Sequence, residues 1–312
     1  MTTAARPFRF GAEMMGPFAG MSWADSARRL ESLGYSSLAV PDHFHEGFGP
    51  ITAMATAAMA TTTLKVSSMV LNTDLRHPAV LARELASIDI LSEGRLEVGL
   101  GAGYNPLDYS RSGIVQDPPS TRVDRLIEHV AVLKALWSDG ATTFAGQHYT
   151  IDDLDGTPKP FTPGGPPLLI AGGGRRMLRF AAQHADIVGV NVALASAPDE
   201  TSVRDGLPAS IDRKFEQIRA DAGDRFDSLE FSAWLAVCTV TDDALAVGER
   251  LSGQFGAPAS EVLQSPLVLA GTHSELVERL QERRMRWGYS YYIVQEPSID
   301  ELAPIVASLT GT

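Results

Sequence analysis

The sequence has very little cysteine, no long apolar run and no excess of basic residues, and each shortage excludes a class of protein. Cys238 is the only cysteine among 312 residues and lies in the apolar run FSAWLAVCTV. A disulfide framework and a thiolate metal cage are therefore excluded, no activated thiol nucleophile is evident, and the Cys238 side chain is predicted to be buried and inert. No uninterrupted apolar segment is long enough to span a bilayer, and the first residues lack the apolar core of a signal peptide. These absences predict a cytoplasmic protein.

Positive charge is also short, because 26 Lys and Arg stand against 38 Asp and Glu, for a formal net charge of -12. Such a surface repels nucleic acid and anionic membranes. Neither nucleic acid nor a membrane is predicted as a partner. The predicted partner is a small-molecule substrate.

Short apolar strands alternate with amphipathic helices from one end of the chain to the other. Between 64 and 103 the residues LKVSSMVLN, HPAVLARELASIDILSEG and RLEVGLGAG are typical of strand, helix and strand. The chain holds about eight such units, the number at which a parallel sheet closes into a (β/α)8 TIM barrel. Because no linker interrupts the pattern, we predict a single domain over 1–312 with insertions. An open doubly wound sheet stays an alternative, since periodicity does not reveal closure.

Several local signals lie outside the repeat or end it. ATTFAGQHYTI predicts a small hairpin, and strand seven (229–240) is followed by a helical insertion near 242–264. Thr272 with Glu275 and Ser298 with Glu301 both have the spacing of a capping box. They flank the apolar strand YSYYIVQ.

Candidate site residues follow the predicted strands, because ligands bind at the carboxyl ends of parallel strands. The second predicted strand, YSSLAV (35–40), is followed by Asp42, His43 and His45. Among them, His43 is the first candidate for proton transfer near neutrality. A structural role is the alternative for each, and Asp42 could serve as a turn cap. The pair His43 and His45 has a spacing that suits two metal ligands. The fifth and sixth predicted strands, PLLIAGGG and DIVGVNV, supply no further histidine. No metal site is predicted.

Two glycine-rich segments lie at the ends of the fourth and fifth predicted strands, 95–103 and 167–174. Gly172, Gly173 and Gly174 precede Arg175 and Arg176 at the start of a helix. Glycines, a helix N-terminus and two guanidiniums predict a phosphate site, with a flexible turn as the alternative. GLGAG at 99–103 lacks the third glycine of a dinucleotide fingerprint and is interpreted as a flat floor for a planar ring.

Taken together, these segments resemble the luciferase-like monooxygenase superfamily, and within it the oxidoreductases that use the deazaflavin coenzyme F420. The resemblance is carried by VPDHF (40–44), by 70–105, by LLIAGGGRRMLRFAAQHADIVGVN (168–191) and by 271–294. It implies a luciferase-like (β/α)8 barrel, a homodimer, and the deazaflavin lying across the carboxyl rim.

The resemblance also implies roles for individual residues. His43 would be catalytic and face the reacting ring carbon, and Asp42 would contact the ring. The cofactor-binding residues that it implies are Asp42, Ser68, Met69, Val70, Asn72, Gly101, Ala102, Gly103, Tyr104, Gly172, Gly173, Gly174, Arg175, Arg176, Met177 and Asn191. Many members have a non-prolyl cis peptide in the third-strand segment, which we place at Ser68–Met69.

One position departs from the family pattern. Relatives that oxidise sugar phosphates have a glutamate where this chain has Tyr104. Sugar-phosphate dehydrogenation is therefore not expected, and Tyr104 either donates a proton or shapes the pocket.

Three functional hypotheses follow. The first is an oxidoreductase that transfers a hydride between coenzyme F420 and a small apolar or weakly polar organic substrate. The second keeps the barrel but uses FMN, as a monooxygenase. The third is a non-catalytic flavin- or deazaflavin-binding protein.

Overall fold

Strands and helices alternate along the chain in the computed structural model, which describes residues 6–44, 47–193 and 203–312. The strands are β1 (Arg9–Glu13), β2 (Ser37–Val40), β3 (Lys65–Ser68), β4 (Leu71–Asn72), β5 (Leu96–Gly101), β6 (Ala141–Ala145), β7 (Thr150–Asp155), β8 (Leu168–Gly172), β9 (Ile187–Val190), β10 (Glu230–Trp234), β11 (Val237–Val240), β12 (Val268–Gly271) and β13 (Tyr289–Gln295). The helices are α1 (Trp23–Ser32), α2 (Pro50–Ala60), α3 (Pro78–Leu91), α4 (Pro106–Ser112), α5 (Pro119–Trp137), α6 (Arg175–His184), α7 (Pro208–Ala222), α8 (Ala244–Phe255), α9 (Ala259–Val262), α10 (His273–Trp287) and α11 (Ser298–Leu309).

The described residues group into two units. The first contains 6–13, 32–37 and the described residues from 170 onward, and its strands lie in the order β1, β13, β10, β9, β8. The pairs β1–β13, β13–β10 and β10–β9 are parallel, so these strands end at one edge. A separate parallel pair, β11 with β12, packs on α8 and α9 through its own apolar cluster.

The second unit contains 14–31 and the described residues from 38 to 169. Its strands lie in the order β2, β3, β5, β4, and β5 is parallel to both β3 and β4. Every residue of β5 is buried, as expected for a parallel strand covered on both faces. The predicted hairpin forms: β6 and β7 pair antiparallel.

The predicted strands three and seven are each interrupted in the structure. The 64–72 segment divides into β3 and β4, and 229–240 divides into β10 and β11. β11 is not part of the sheet that contains β10, because it pairs with β12. β12 was not predicted from the sequence. The helical insertion near 242–264 is confirmed by α8 and α9.

One of the two predicted capping boxes is correct and the other is wrong. The Thr272 hydroxyl accepts from the Glu275 N–H, and the Glu275 carboxylate accepts from the Thr272 N–H. Ser298 instead donates to the Cys238 carbonyl, and Glu301 accepts from the Val240 N–H. The Ser298 and Glu301 side chains are engaged by β11, a tertiary contact that sequence spacing does not record.

Within the described parts of the chain, no helix is long and apolar enough to cross a membrane. Cys238 is mostly buried, and burial raises the pKa of its thiol to about 12. A thiol that keeps its proton is a poor nucleophile, in agreement with the inert role predicted for it.

Candidate active site

Asp42 follows β2 in the second unit and is buried, with both carboxylate oxygens occupied. Arg76 donates to Asp42 Oδ2 and Oδ1 at 2.5 and 3.0 Å, and the Asn72 N–H donates to Oδ2 at 3.0 Å. A bidentate guanidinium pair fixes a carboxylate in position as well as in charge. Asp42 therefore ties the end of β2 to the end of β4, and its contact with a cofactor ring stays a prediction.

His43 is held by a carboxylate that the sequence analysis did not select. His43 Nδ1 lies 2.6 Å from Asp108 Oδ2, and Asp108 Oδ1 accepts from the Phe44 N–H at 3.0 Å. The ring of Tyr104 contacts the imidazole edge to face, with ring centroids 5.9 Å apart. The end of β2 therefore presents a histidine whose ring orientation is set from two sides.

Asp108 lies on α4, a seven-residue helix in the 104–118 loop. From this loop the sequence predicted Tyr104, but not Asp108, as a site residue. The Asn105–Pro106 pair was the signal that could have found the helix, because Asn is a favoured N-cap and Pro a favoured first residue. The Asn105 side chain accepts from the Leu107 N–H, as this signal implies.

The segment Ser68–Asn72 contains the expected non-prolyl cis peptide, but at Met69–Val70 rather than Ser68–Met69. The Ser68 hydroxyl donates to the Gly99 carbonyl and accepts from the Gly99 N–H, so this side chain ties the end of β3 to β5.

The glycines of β5 are needed by this segment itself. A Cβ at Gly99 would overlap the Ser68 carbonyl oxygen, and one at Gly101 would lie 2.6 Å from Val70 Cγ2. Gly103 has a φ of +71° and lies against the Asn72 amide and the Tyr109 hydroxyl. The predicted role of Gly101, Ala102 and Gly103 as a floor for a planar ring stays a prediction.

In the first unit, the Gly172–Gly174 turn joins β8 to α6. A Cβ at Gly172 would lie 2.5 Å from Met177 Cγ, and one at Gly173 would overlap the Val192 backbone, whereas Gly174 faces open space. Gly174 is the N-cap of α6 and offers no side-chain cap. The first-turn N–H groups of a helix in this state, with the exposed Arg175 and Arg176, form a donor set suited to a phosphate.

Met177 and Asn191 have clear structural contacts in the same unit. Met177 is buried beneath Gly172, and the Asn191 N–H donates to the Gly172 carbonyl at 3.0 Å. The buried Lys214 donates to the Asn191 carbonyl and to the Asp205 carboxylate. These bonds fix the end of β9 beside the Gly172 turn.

Glu13, at the carboxyl end of β1, is a further titratable group that the sequence analysis missed. The Trp234 indole N–H, at the end of β10, donates to Glu13 Oε2 at 2.5 Å. Burial raises the pKa of Glu13 to about 7, and the hydrogen bond from Trp234 opposes this only in part. A glutamate closing an apolar strand was the available signal. Glu13 and the Gly172 turn lie at the carboxyl ends of parallel strands of the same unit.

One of the candidate residues lies outside the described residues. It is His45, the second histidine of the pair considered for a metal.

Comparison with known families shows to which family this chain belongs. Residues 7–286 match the family model described as luciferase-like monooxygenase, and the chain belongs to that family. The fold is the (β/α)8 barrel of the luciferase-like proteins, as the sequence predicted.

Individual relatives differ in chemistry. The chain is 29% identical over 258 residues to an F420-dependent glucose-6-phosphate dehydrogenase of Kineococcus radiotolerans, covering 77% of this chain and 76% of that protein. It is 34% identical over 171 residues to the pyrimidine monooxygenase RutA of an Enterobacter species, covering 53% of this chain and 46% of RutA. The chain thus spans about half the length of the RutA sequences that it matches.

Among solved structures, the coenzyme F420-dependent tetrahydromethanopterin reductase of Methanopyrus kandleri matches with a TM-score of 0.74 at 17% identity. The match covers 98% of this chain and 99% of that one. At this identity the likeness concerns the fold alone.

Proposed function

We propose that this protein is an oxidoreductase that transfers a hydride between coenzyme F420 and a small organic substrate. The observation that carries the proposal is His43, which lies at the carboxyl end of β2 with Nδ1 2.6 Å from the buried Asp108. A histidine oriented in this way is equipped to move a proton at the substrate. The F420-dependent dehydrogenase that matches three quarters of the chain supports the choice of cofactor.

The residues of the first unit fit the phosphate of such a cofactor. Gly174 faces open space, no side chain caps the N-terminus of α6, and Arg175 and Arg176 are exposed there. These groups would hold the phosphate, because uncapped first-turn N–H groups and guanidiniums favour a bound anion. When bound, the deazaflavin supplies the carbon that accepts or releases the hydride.

The chain's own residues then handle the proton that accompanies the hydride. In the direction of oxidation, the substrate loses a hydride from carbon, and its neighbouring O–H or N–H proton passes to His43. In the direction of reduction, His43 returns that proton. Tyr104, in contact with the imidazole, helps to hold the ring in this position.

The variant His43→Ala tests this role. We expect cofactor binding to persist and the rate of hydride transfer to fall about 10²- to 10⁴-fold, the usual contribution of a positioned acid or base. The measurement is single-turnover absorbance at saturating cofactor, with the exposed His273 replaced by alanine as the matched control. A rate equal to that of the wild type would remove His43 from the mechanism.

A second function is favoured by a different observation. The RutA relatives, at 32 to 34% identity, are monooxygenases. A luciferase-like monooxygenase that uses FMN is therefore the alternative, and the phosphate-binding turn suits that cofactor equally. Oxygen consumption with reduced FMN and a substrate panel distinguishes it from the first proposal. Absence of turnover with either loaded cofactor would favour the non-catalytic binding protein.

A further inference from the structure

The Asp108 carboxylate bonds to two successive residues, His43 and Phe44, and these two partners differ in kind. Oδ1 accepts from the Phe44 backbone N–H, which can only donate, at 3.0 Å. Oδ2 faces His43 Nδ1 at 2.6 Å, where the imidazole can either donate or accept. The carboxylate thus holds the backbone and the side chain at the end of β2 with one group.

Asp108 is itself held firmly. Its side chain is 2% exposed, so water does not compete for its oxygens. The Ser112 hydroxyl donates to the Asp108 carbonyl at 2.6 Å, and Asn105 caps the helix that presents the side chain. Rotation of the carboxylate away from His43 would also break its bond to the Phe44 N–H.

We propose that Asp108 is a positioning residue that fixes the tautomer of His43, with the proton on Nδ1 and the lone pair on Nε2. This inference rests on the proposed role of His43 in proton transfer. An ionised carboxylate has no proton to donate, so a neutral imidazole that bonds to it must donate from Nδ1. The proton exchanged with substrate therefore enters and leaves at Nε2, while the Asp108 carboxylate accepts the bond from Nδ1–H and stabilises the imidazolium that forms.

The surroundings make the variant Asp108→Asn unusually informative. The Phe44 N–H requires an acceptor, so the amide oxygen of an asparagine would occupy the place of Oδ1 and its NH2 group would face His43. A donor at that point forces Nδ1 to accept, which moves the proton of the neutral ring to Nε2. The side-chain shape and the helix are preserved, but Nε2 then carries the proton and cannot accept one from substrate, as in other histidine–carboxylate pairs.

The test is the tautomer of His43, read from the 15N and 1H chemical shifts of the imidazole in labelled full-length protein without cofactor. His43→Gln identifies the signals. We expect the Nδ1–H form in the wild type and the Nε2–H form in Asp108→Asn. The matched control is Asp117→Asn. It removes a carboxylate of the same 104–118 loop that pairs with Arg125 on α5. The control is expected to keep the Nδ1–H form.

Activity supplies the second reading. We expect Asp108→Asn to lower the rate of hydride transfer about 10³- to 10⁴-fold with cofactor affinity unchanged, by analogy with the wrong-tautomer variant of a catalytic triad. An Nε2–H tautomer in the wild type, or the same tautomer in wild type and Asp108→Asn, would overturn the positioning role even if one variant folds poorly. A changed tautomer with an unchanged rate would leave the positioning role intact and overturn the function proposed for His43.

Discussion

At the scale of single residues, three buried carboxylates have three different kinds of partner. Asp42 is paired with the Arg76 guanidinium, and Asp108 bonds to an imidazole and a backbone N–H. Glu13 accepts from the Trp234 indole, and among the described residues no cation pairs with it. Desolvation is therefore opposed least at Glu13, which is why its pKa is raised to about 7.

The raised pKa of Glu13 predicts a pH dependence of stability. Since the folded pKa exceeds that of the unfolded chain, the folded state binds the extra proton, and stability is lost as the pH rises toward and through 7. From pH 5 to pH 8 the wild type should lose up to about 3 kcal/mol of unfolding free energy through this group. Urea unfolding at both pH values measures the loss.

Glu13→Gln should remove that part of the pH dependence, because glutamine does not titrate. Glu282→Gln, at an exposed position on α10, is the control and should keep the wild-type slope. Equal slopes in wild type and Glu13→Gln would show that Glu13 ionises normally.

Residue roles were only partly readable from the sequence. His43 and the phosphate turn could be proposed from the sequence because strand ends and glycine runs are local signals, and their roles stay predictions. Asp108 was missed because its importance comes from a contact 65 positions away, and Glu13 because its burial depends on how β1 and β10 are placed. Neither contact leaves a periodic trace.

At the scale of elements, the contact between β5 and the Ser68–Asn72 segment is the tightest feature of the candidate site. Gly99→Ala would place a methyl group on the Ser68 carbonyl oxygen, which belongs to backbone and cannot rotate away. We expect a loss of about 3 kcal/mol or more in unfolding free energy.

A glycine in open space gives the matched comparison. Gly253→Ala lies inside α8 with no atom near the added methyl, and should stabilise the protein by about 0.5–1 kcal/mol. Thermal unfolding of the two variants compares them. Equal melting temperatures for Gly99→Ala and the wild type would contradict the close packing of β5.

Element boundaries show where sequence patterns are reliable. The Thr272–Glu275 capping box and the hairpin are local and were predicted correctly. Strand seven and the Ser298 cap were wrong because β12 and Cys238, which lie far away in the sequence, determine them. The predicted position of the cis peptide was wrong by one residue.

At the scale of the whole molecule, the homodimer implied by family resemblance is still a prediction. The outer faces of α2 and α3 expose Met59, Val80, Ile90 and Leu91, each at least 40% accessible. Contiguous exposed apolar surface is typical of a protein interface, and we predict that these two helices contribute to it.

Light scattering after size exclusion tests the dimer. We expect a mass near twice the 33.4 kDa of one chain, and the double variant Val80→Glu, Leu91→Glu should run as a monomer. Met285→Glu, at another exposed apolar position on α10, should leave the mass unchanged. A monomeric wild type would contradict the prediction.

The fold class was accessible from the sequence because alternation of strands and helices is repeated along the chain. The cofactor was not, because the predicted phosphate turn and a histidine after β2 suit deazaflavin and flavin alike. The matched relatives divide in the same way, between an F420-dependent dehydrogenase and RutA monooxygenases.

Titration of the purified protein with coenzyme F420 and, separately, with FMN tests the central proposal most directly, followed by turnover of a substrate panel with each. We expect saturable binding of F420, and absorbance changes of the deazaflavin that depend on substrate and on His43. Tight binding of FMN with oxygen-consuming turnover, and no binding of F420, would contradict the proposal.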